Sequence, residues 1–212
     1  MKATIKLWQE VIENLPLIAI LRGLDPEHSV VTANALVDVG FRIIEVPLNS
    51  PNPIQSIKKI AEAHPDVIVG AGTVLQRTAV GLCVDVGARL IVAPNLDESV
   101  AKAIPKEQVI YCPGICTPSE AFSALALGAN LLKLFPAELI TPQAVRALRS
   151  VLPAKTLLAP VGGITVSNIP DYIRAGADAF GFGSSLYTPK NSLREIKKNA
   201  RALVNAFLSS KG

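Results

Sequence analysis

The sequence predicts an α/β fold, a (β/α)8 TIM barrel with an extra N-terminal helix, on three observations. Short runs of Val, Ile and Leu alternate with segments of helical period, the runs are continuously apolar, and a glycine-led segment recurs four times along the 212 residues. Continuous apolarity means that both faces of a strand are covered, the condition of a parallel sheet wrapped in helices. The recurring segments VGFRIIEV, VGARLIVA, LGANLLKL and AGADAFGF begin at Val39, Val86, Leu127 and Ala175, spaced 47, 41 and 48 residues apart, so each repeat spans about two βα units. A closed barrel makes such units equivalent, whereas an open doubly wound sheet, the alternative, sets edge strands apart from central ones.

In chain order, the segment before Leu17 reads as the extra helix, covering the bottom of the barrel. The eight strands follow as LIAILR, RIIEVPL, VIVGAG, RLIVAP, VIYCPG, LLKLFP, LLAPVG and DAFGFG. Helix starts are marked by Asp25-Pro26, Ser50-Pro51, Thr117-Pro118 and Thr141-Pro142, each a capping residue followed by Pro at the first helical position. Helix ends are marked by Gly40, Gly87, Gly128 and Gly176. From Ser192 to Leu208 the apolar residues Leu193, Ile196, Ala200, Leu203, Val204 and Phe207 suit a last outer helix. One domain spanning residues 1–212 is expected, since half the chain is hydrophobic and can bury a sizeable core.

Composition narrows the function. The formal charge of +4 is scattered, with no basic run longer than Lys197-Lys198 and few aromatics, so nucleic acid is not an expected partner. Gln9, Glu10, Glu13 and Asn14 interrupt the N-terminal segment, and the apolar runs fall short of the roughly 18 to 20 residues of a membrane span. The expectation is a soluble, cytoplasmic protein with no membrane partner. Cys83, Cys112 and Cys116 are odd in number and lack a neighbouring His or third thiol; they read as reduced, mostly buried small residues. His28 and His64 sit at helix ends, away from any strand-end cluster. No metal and no cofactor is expected.

The repeat also serves as a ruler, because alternate strands of a barrel contribute to the same interior layer. Five residues beyond the glycines stand Glu45, Val92, Lys133 and Gly181, which places a carboxylate and an ammonium in one layer on the second and sixth strands. Two residues further stand Pro47, Pro94, Phe135 and Gly183, the apolar wall of a pocket. Lys133 is flanked by Leu131, Leu132, Leu134 and Phe135. The bland reading is a buried ion pair, which is often no more stabilising than apolar residues would be. The functional reading is that an apolar site favours the free amine needed for Schiff-base formation, with Glu45 moving protons directly or through one water. The two charged ends are expected within hydrogen-bond reach or one bridging water of each other.

Val161-Gly162-Gly163-Ile164-Thr165 follows the seventh strand and Gly181-Phe182-Gly183-Ser184-Ser185 the eighth, where barrels hold phosphate on backbone N–H groups. Plain tight turns are the alternative. Arg22 ends the first strand at the same mouth and suits a carboxylate. Arg42 and Arg89 begin their strands, at the opposite rim.

Through LIAILR, EVPLNSP, VGAGTV, PGICTPSEA, LKLFPAE, VGGI and GSSLY, the chain resembles over nearly its whole length the small bacterial class I aldolases of the KDPG/KHG family, which cleave 2-keto-3-deoxy-6-phospho sugar acids. The resemblance implies that Lys133 is the Schiff-base lysine and Glu45 the acid/base. Arg22 and Thr73 would contact the pyruvate portion, and Gly162, Gly163, Gly183 and Ser184 would surround the phosphate. It also implies a homotrimer. Phosphogluconate-type members carry Arg where this chain has Asn49 and Thr where it has Val161, so the carboxylate passes to Arg22 and the pattern resembles the phosphogalactonate type. The implied products are pyruvate and glyceraldehyde 3-phosphate, with a phosphogluconate-specific or broad-specificity member as the alternative. Outside that class stand a sugar-phosphate isomerase or epimerase, which has no need of a strand lysine, and a catalytically silent phospho-sugar binder.

Overall fold

A computed structural model describes residues 3–211. Helix α1 (Ala3–Asn14) precedes β1 (Leu17–Ile20), α2 (Ser29–Val37), β2 (Ile43–Pro47), α3 (Pro53–Ala63), β3 (Ile68–Gly72), α4 (Arg77–Asp85), β4 (Leu90–Val92), α5 (Glu98–Ala103) and β5 (Ile110–Cys112). Then come β6 (Gly114–Ile115), α6 (Pro118–Ala126), β7 (Leu132–Leu134), α7 (Pro142–Val151), β8 (Leu158–Pro160), α8 (Ile169–Arg174), β9 (Phe180–Phe182) and α9 (Leu193–Lys211). The strands pair in parallel throughout, in one sheet ordered β5-β4-β3-β2-β1-β9 and another ordered β6-β7-β8. The sheet curls on itself. Pro113 alone separates β5 from β6, so the fifth predicted strand is one run broken at a proline that lacks the N–H to continue the ladder. At the other seam Val161 bridges Gly181.

Alternation along the strands sorts the core into two clusters. Ile18, Ile43, Ile68, Leu90, Val92, Ile110, Cys112, Leu131, Ala159, Val161 and Ala179 pack with one another inside the curl. Their strand neighbours, among them Leu17, Ile44, Val69, Ile91, Tyr111, Leu132, Leu158 and Phe180, pack outward against the helices. Trp8 and Val11 of α1 join the inner cluster and cap its N-terminal end. Burial on both faces explains why the strands read as apolar runs.

The four helix-ending glycines all take positive φ, between +87° and +108°, which allows the chain to reverse into the next strand. Thr117-Pro118 and Thr141-Pro142 start α6 and α7 as expected, and Thr117 forms a full capping box with Glu120. The other two proline signals are displaced. Asp25 accepts from the Glu27 and His28 backbone N–H groups in a turn, and α2 begins only at Ser29. After Ser50-Pro51, Asn52 adopts φ +41° and Pro53 becomes the first residue of α3, which frees the Ser50 hydroxyl to accept from the Gly23 N–H. In α9, Ile196, Ala200, Leu203, Val204 and Phe207 are buried, whereas Leu193 is exposed in the first turn.

Gly114, at the seam between the sheets, has no room for a side chain: a Cβ would lie 2.1 Å from the Pro94 carbonyl oxygen. Gly114→Ala is therefore expected to destabilise the protein by about 1 to 3 kcal/mol, the usual cost of overpacking against a backbone that cannot give way. A lowered urea midpoint at unchanged slope would register it, and an unchanged midpoint would show that the seam yields.

Candidate active site

Lys133 is central in β7, paired with Gly114 on one side and Ala159 on the other, and only 5% exposed. Its Nζ lies 4.8 Å from the centroid of the Phe135 ring, two residues on and on the same inward face. Glu45, on β2, is 2% exposed and also points inward, between Ile43 and Pro47. Its carboxylate occupies the space over Gly72, where a Cβ would fall 1.5 Å from Glu45 Oε2. Sequence reading passed over Gly72; a glycine inside a strand is the signal of such a close approach.

The two charged ends form no direct ion pair within 4.0 Å, and Glu45 Oε2 is buried without a hydrogen-bond partner among the described residues. The direct bond expected as one of two arrangements is therefore not formed; Glu45 stands on β2 and Lys133 on β7. Burial pushes the Glu45 carboxyl above its ordinary value, while the Lys133 ammonium and then the Arg22 guanidinium pull it part of the way back. Cys112, also inside, is pushed up to about 12 by burial, so it is a neutral thiol.

A cavity of about 350 Å³ opens over Lys133 at the C-terminal ends of the strands. It brings together Arg22, Lys133, Phe135, Val161, Gly162, Gly163, Gly183 and Ser184, along with Ile20, Ile164, Thr165, Gly181 and Ser185. Glu45 does not form part of its wall. Thr73 lines a neighbouring cavity with Leu48 and Asn49 and holds φ +56°, a strained conformation for a β-branched residue and of the kind that clusters at functional sites. Pro94 lines neither cavity. His28 pairs with Asp25 at the surface and His64 with Asn34. Arg42 and Arg89 hydrogen-bond to backbone carbonyls at the opposite rim.

The far wall is built of backbone. Gly162 and Gly163 take φ +101° and +63°, and the Glu138 carboxylate packs so closely over them that a Cβ on Gly162 would lie 2.5 Å from its Oε2. Asn168 braces the turn, accepting from the Thr165 N–H and donating to the Gly163 carbonyl, both at 2.9 Å. The spacing of Thr165 and Asn168 could have revealed this brace, which sequence reading missed. The N–H groups of Gly163, Ile164, Ser184 and Ser185 find no acceptor among the described residues. N–H groups left free in such turns can form a cradle for an anion such as phosphate.

No group of three or more His, Cys, Asp or Glu among the described residues could hold a metal ion, and no helix is long and apolar enough to cross a membrane. A buried strand lysine, a desolvated carboxylate and an anion cradle at the mouth of a parallel α/β curl define the equipment of a Schiff-base lyase acting on a small anionic substrate.

The chain belongs to the KDPG and KHG aldolase family, whose model matches residues 8–203. It is 43% identical over 193 residues to the probable 2-dehydro-3-deoxy-6-phosphogalactonate aldolase of Rhizobium meliloti (strain 1021), covering 91% of each chain. It is 41% identical over 201 residues to the 2-dehydro-3-deoxy-6-phosphogalactonate aldolase of Escherichia coli (strain K12), covering 94% of this chain and 97% of that one. A solved structure described as native KDPGal superimposes with a TM-score of 0.91 at 40% identity, over 93% of this chain and 97% of the other.

Because burial raises the native Glu45 value, the protonated carboxyl is the form that the fold favours. Its contribution to stability is complete below the ordinary value of 4.5 and is lost as pH rises through the raised native value. Glu45→Gln, which cannot ionise, should therefore gain stability relative to the parent as pH rises above the ordinary value of 4.5. Urea titrations of both proteins across that rise check this; a pH-independent difference would show that Glu45 is not desolvated.

Proposed function

We propose that this protein is a class I aldolase that cleaves 2-keto-3-deoxy-6-phosphogalactonate to pyruvate and glyceraldehyde 3-phosphate. The observation that carries the reading is Lys133: a nearly buried lysine with no ion-pair partner within 4.0 Å among the described residues, facing a cavity lined by two turns whose backbone N–H groups are unpaired among those residues. An isomerase or epimerase would use the cradle but leave the lysine idle.

In the mechanism, the Lys133 amine attacks C2 of the substrate, and loss of water from the resulting carbinolamine leaves a protonated imine. Glu45, directly or through one water, takes the proton of the C4 hydroxyl. The C3–C4 bond then breaks, its electron pair flowing into the imine to form an enamine as glyceraldehyde 3-phosphate departs. Protonation of the enamine at C3 and hydrolysis of the imine release pyruvate and restore the amine. A carboxylate whose affinity for protons is raised by burial is a stronger base than an exposed one, which suits it to accept and return a proton. Arg22 binds the substrate carboxylate. The N–H groups of the two small-residue turns hold the remote phosphate, whose binding energy positions the reacting carbons. No cofactor takes part.

The same reading includes a closed (β/α)8 barrel forming one domain over residues 1–212, with α1 as its extra bottom helix. The parallel order of both sheets, the Pro113 junction and the Val161–Gly181 bridge support closure. Assembly as a homotrimer and a cytoplasmic location rest on the family resemblance.

Lys133→Ala should abolish the borohydride-trapped adduct with pyruvate, detected by intact mass, while leaving a folded protein. An adduct surviving that change would sink the mechanism. Epimer choice rests on Val161, in the cavity wall between the lysine and the glycine turn. Valine offers no hydrogen bond to the C4 hydroxyl, so the phosphogluconate epimer should remain a measurable side substrate. Val161→Thr should shift the ratio of kcat/KM values toward phosphogluconate by roughly 1 to 2 kcal/mol, the scale of one neutral hydrogen bond. Kinetics of both proteins on both epimers decide this, an unchanged ratio removing Val161 from the choice.

A further inference from the structure

Arg22 is exposed at the end of β1, on a long side chain with many rotamers, yet a carboxylate site needs its guanidinium held in one place. Among the described residues it makes one hydrogen bond, from Nη1 to Asn49 Oδ1 at 2.6 Å. Asn49 stands on a turn that is itself fixed. The Leu48 N–H donates to the Gly72 carbonyl and the Ser50 N–H to the Pro47 carbonyl, while the Ser50 hydroxyl, on a buried residue, accepts from the Gly23 N–H. The β1 and β2 exit loops are thus tied twice, once through backbone and serine and once through Arg22 and Asn49.

We propose that Asn49 is a positioning residue for the substrate carboxylate, holding the Arg22 guanidinium at the cavity mouth by a neutral acceptor that leaves its positive charge and its other N–H donors for the ligand. This rests on the Schiff-base reading of the site. An amide suits the task better than a carboxylate would, because aspartate would orient the guanidinium equally well but cancel its charge toward an incoming anion. The Arg22 charge is also felt by Glu45, whose carboxyl it pulls down.

The test compares the parent protein with Asn49→Ala, Asn49→Asp, Arg22→Ala and the Arg22→Ala/Asn49→Ala double variant. The readouts are the pyruvate concentration that half-saturates borohydride trapping, the limiting adduct yield, and inhibition of cleavage by glyceraldehyde 3-phosphate, which has no carboxylate. Asn49→Ala should raise the half-saturating pyruvate about three- to tenfold, the effect of one hydrogen bond, with limiting yield and glyceraldehyde 3-phosphate inhibition unchanged. Asn49→Asp should raise it further. In the Arg22→Ala background, Asn49→Ala should add nothing. The inference is overturned if Asn49→Ala leaves half-saturation unchanged, if its effect persists without Arg22, or if it weakens glyceraldehyde 3-phosphate inhibition equally. A parent protein that traps no pyruvate at any concentration would overturn the Schiff-base reading, and this inference with it.

Discussion

Two ionisable side chains, Glu45 and Lys133, are withdrawn from water inside a curled parallel sheet and are not allowed to neutralise each other directly. Desolvating each costs several kcal/mol, and a close ion pair would have returned part of that cost. The structure withholds the pair: the carboxylate lies over Gly72, the ammonium lies beside the Phe135 ring, and Glu45 Oε2 is left without a partner. A purely structural pair would be expected to close the gap. The two groups thus stand unpaired on the inner face, a lysine and a carboxylate of the kinds that Schiff-base chemistry uses.

Holding that arrangement falls to the smallest residues. Interior positions that a barrel fills with Val or Leu are here glycine at Gly72, Gly114 and Gly181, and each omitted side chain makes room for a specific neighbour: the Glu45 carboxylate, the Pro94 carbonyl and the Val161 side chain. The rest of the interior is lined with aliphatic residues, which Trp8 and Val11 of α1 join. At the cavity over Lys133 the lining changes from aliphatic side chains to the backbone of two small-residue turns. Charge is placed on Arg22, which lines the same cavity from the exit of β1, the strand paired with β9.

The identity of the inward-facing residues was open to sequence reading because the strands alternate with a period of two, and the glycine-led repeat aligns their starts. Counting from Gly40 and Gly128 selects Glu45 and Lys133 without coordinates, and both do face the interior. Helix starts were less legible. Asp25-Pro26 and Ser50-Pro51 carry the same signal as Thr117-Pro118, but in the first two the capping side chain is claimed by a turn or by the neighbouring loop, a competition no local pattern records.

The sequence by itself determined the strand and helix order, the parallel sheet, the inward lysine and glutamate and the two small-residue turns, because each follows from periodicity or from the conformational freedom of residues near one another in the chain. Only the tertiary structure decided the separation of Glu45 from Lys133, the packing of Glu138 over Gly162 and Gly163, the displacement of Thr73 and Pro94 from the cavity over Lys133, and the bond between Arg22 and Asn49. These depend on the stagger between strands and on which of several side chains reaches a shared space first. Both are set by packing among residues distant in sequence, which periodicity along one chain segment does not encode.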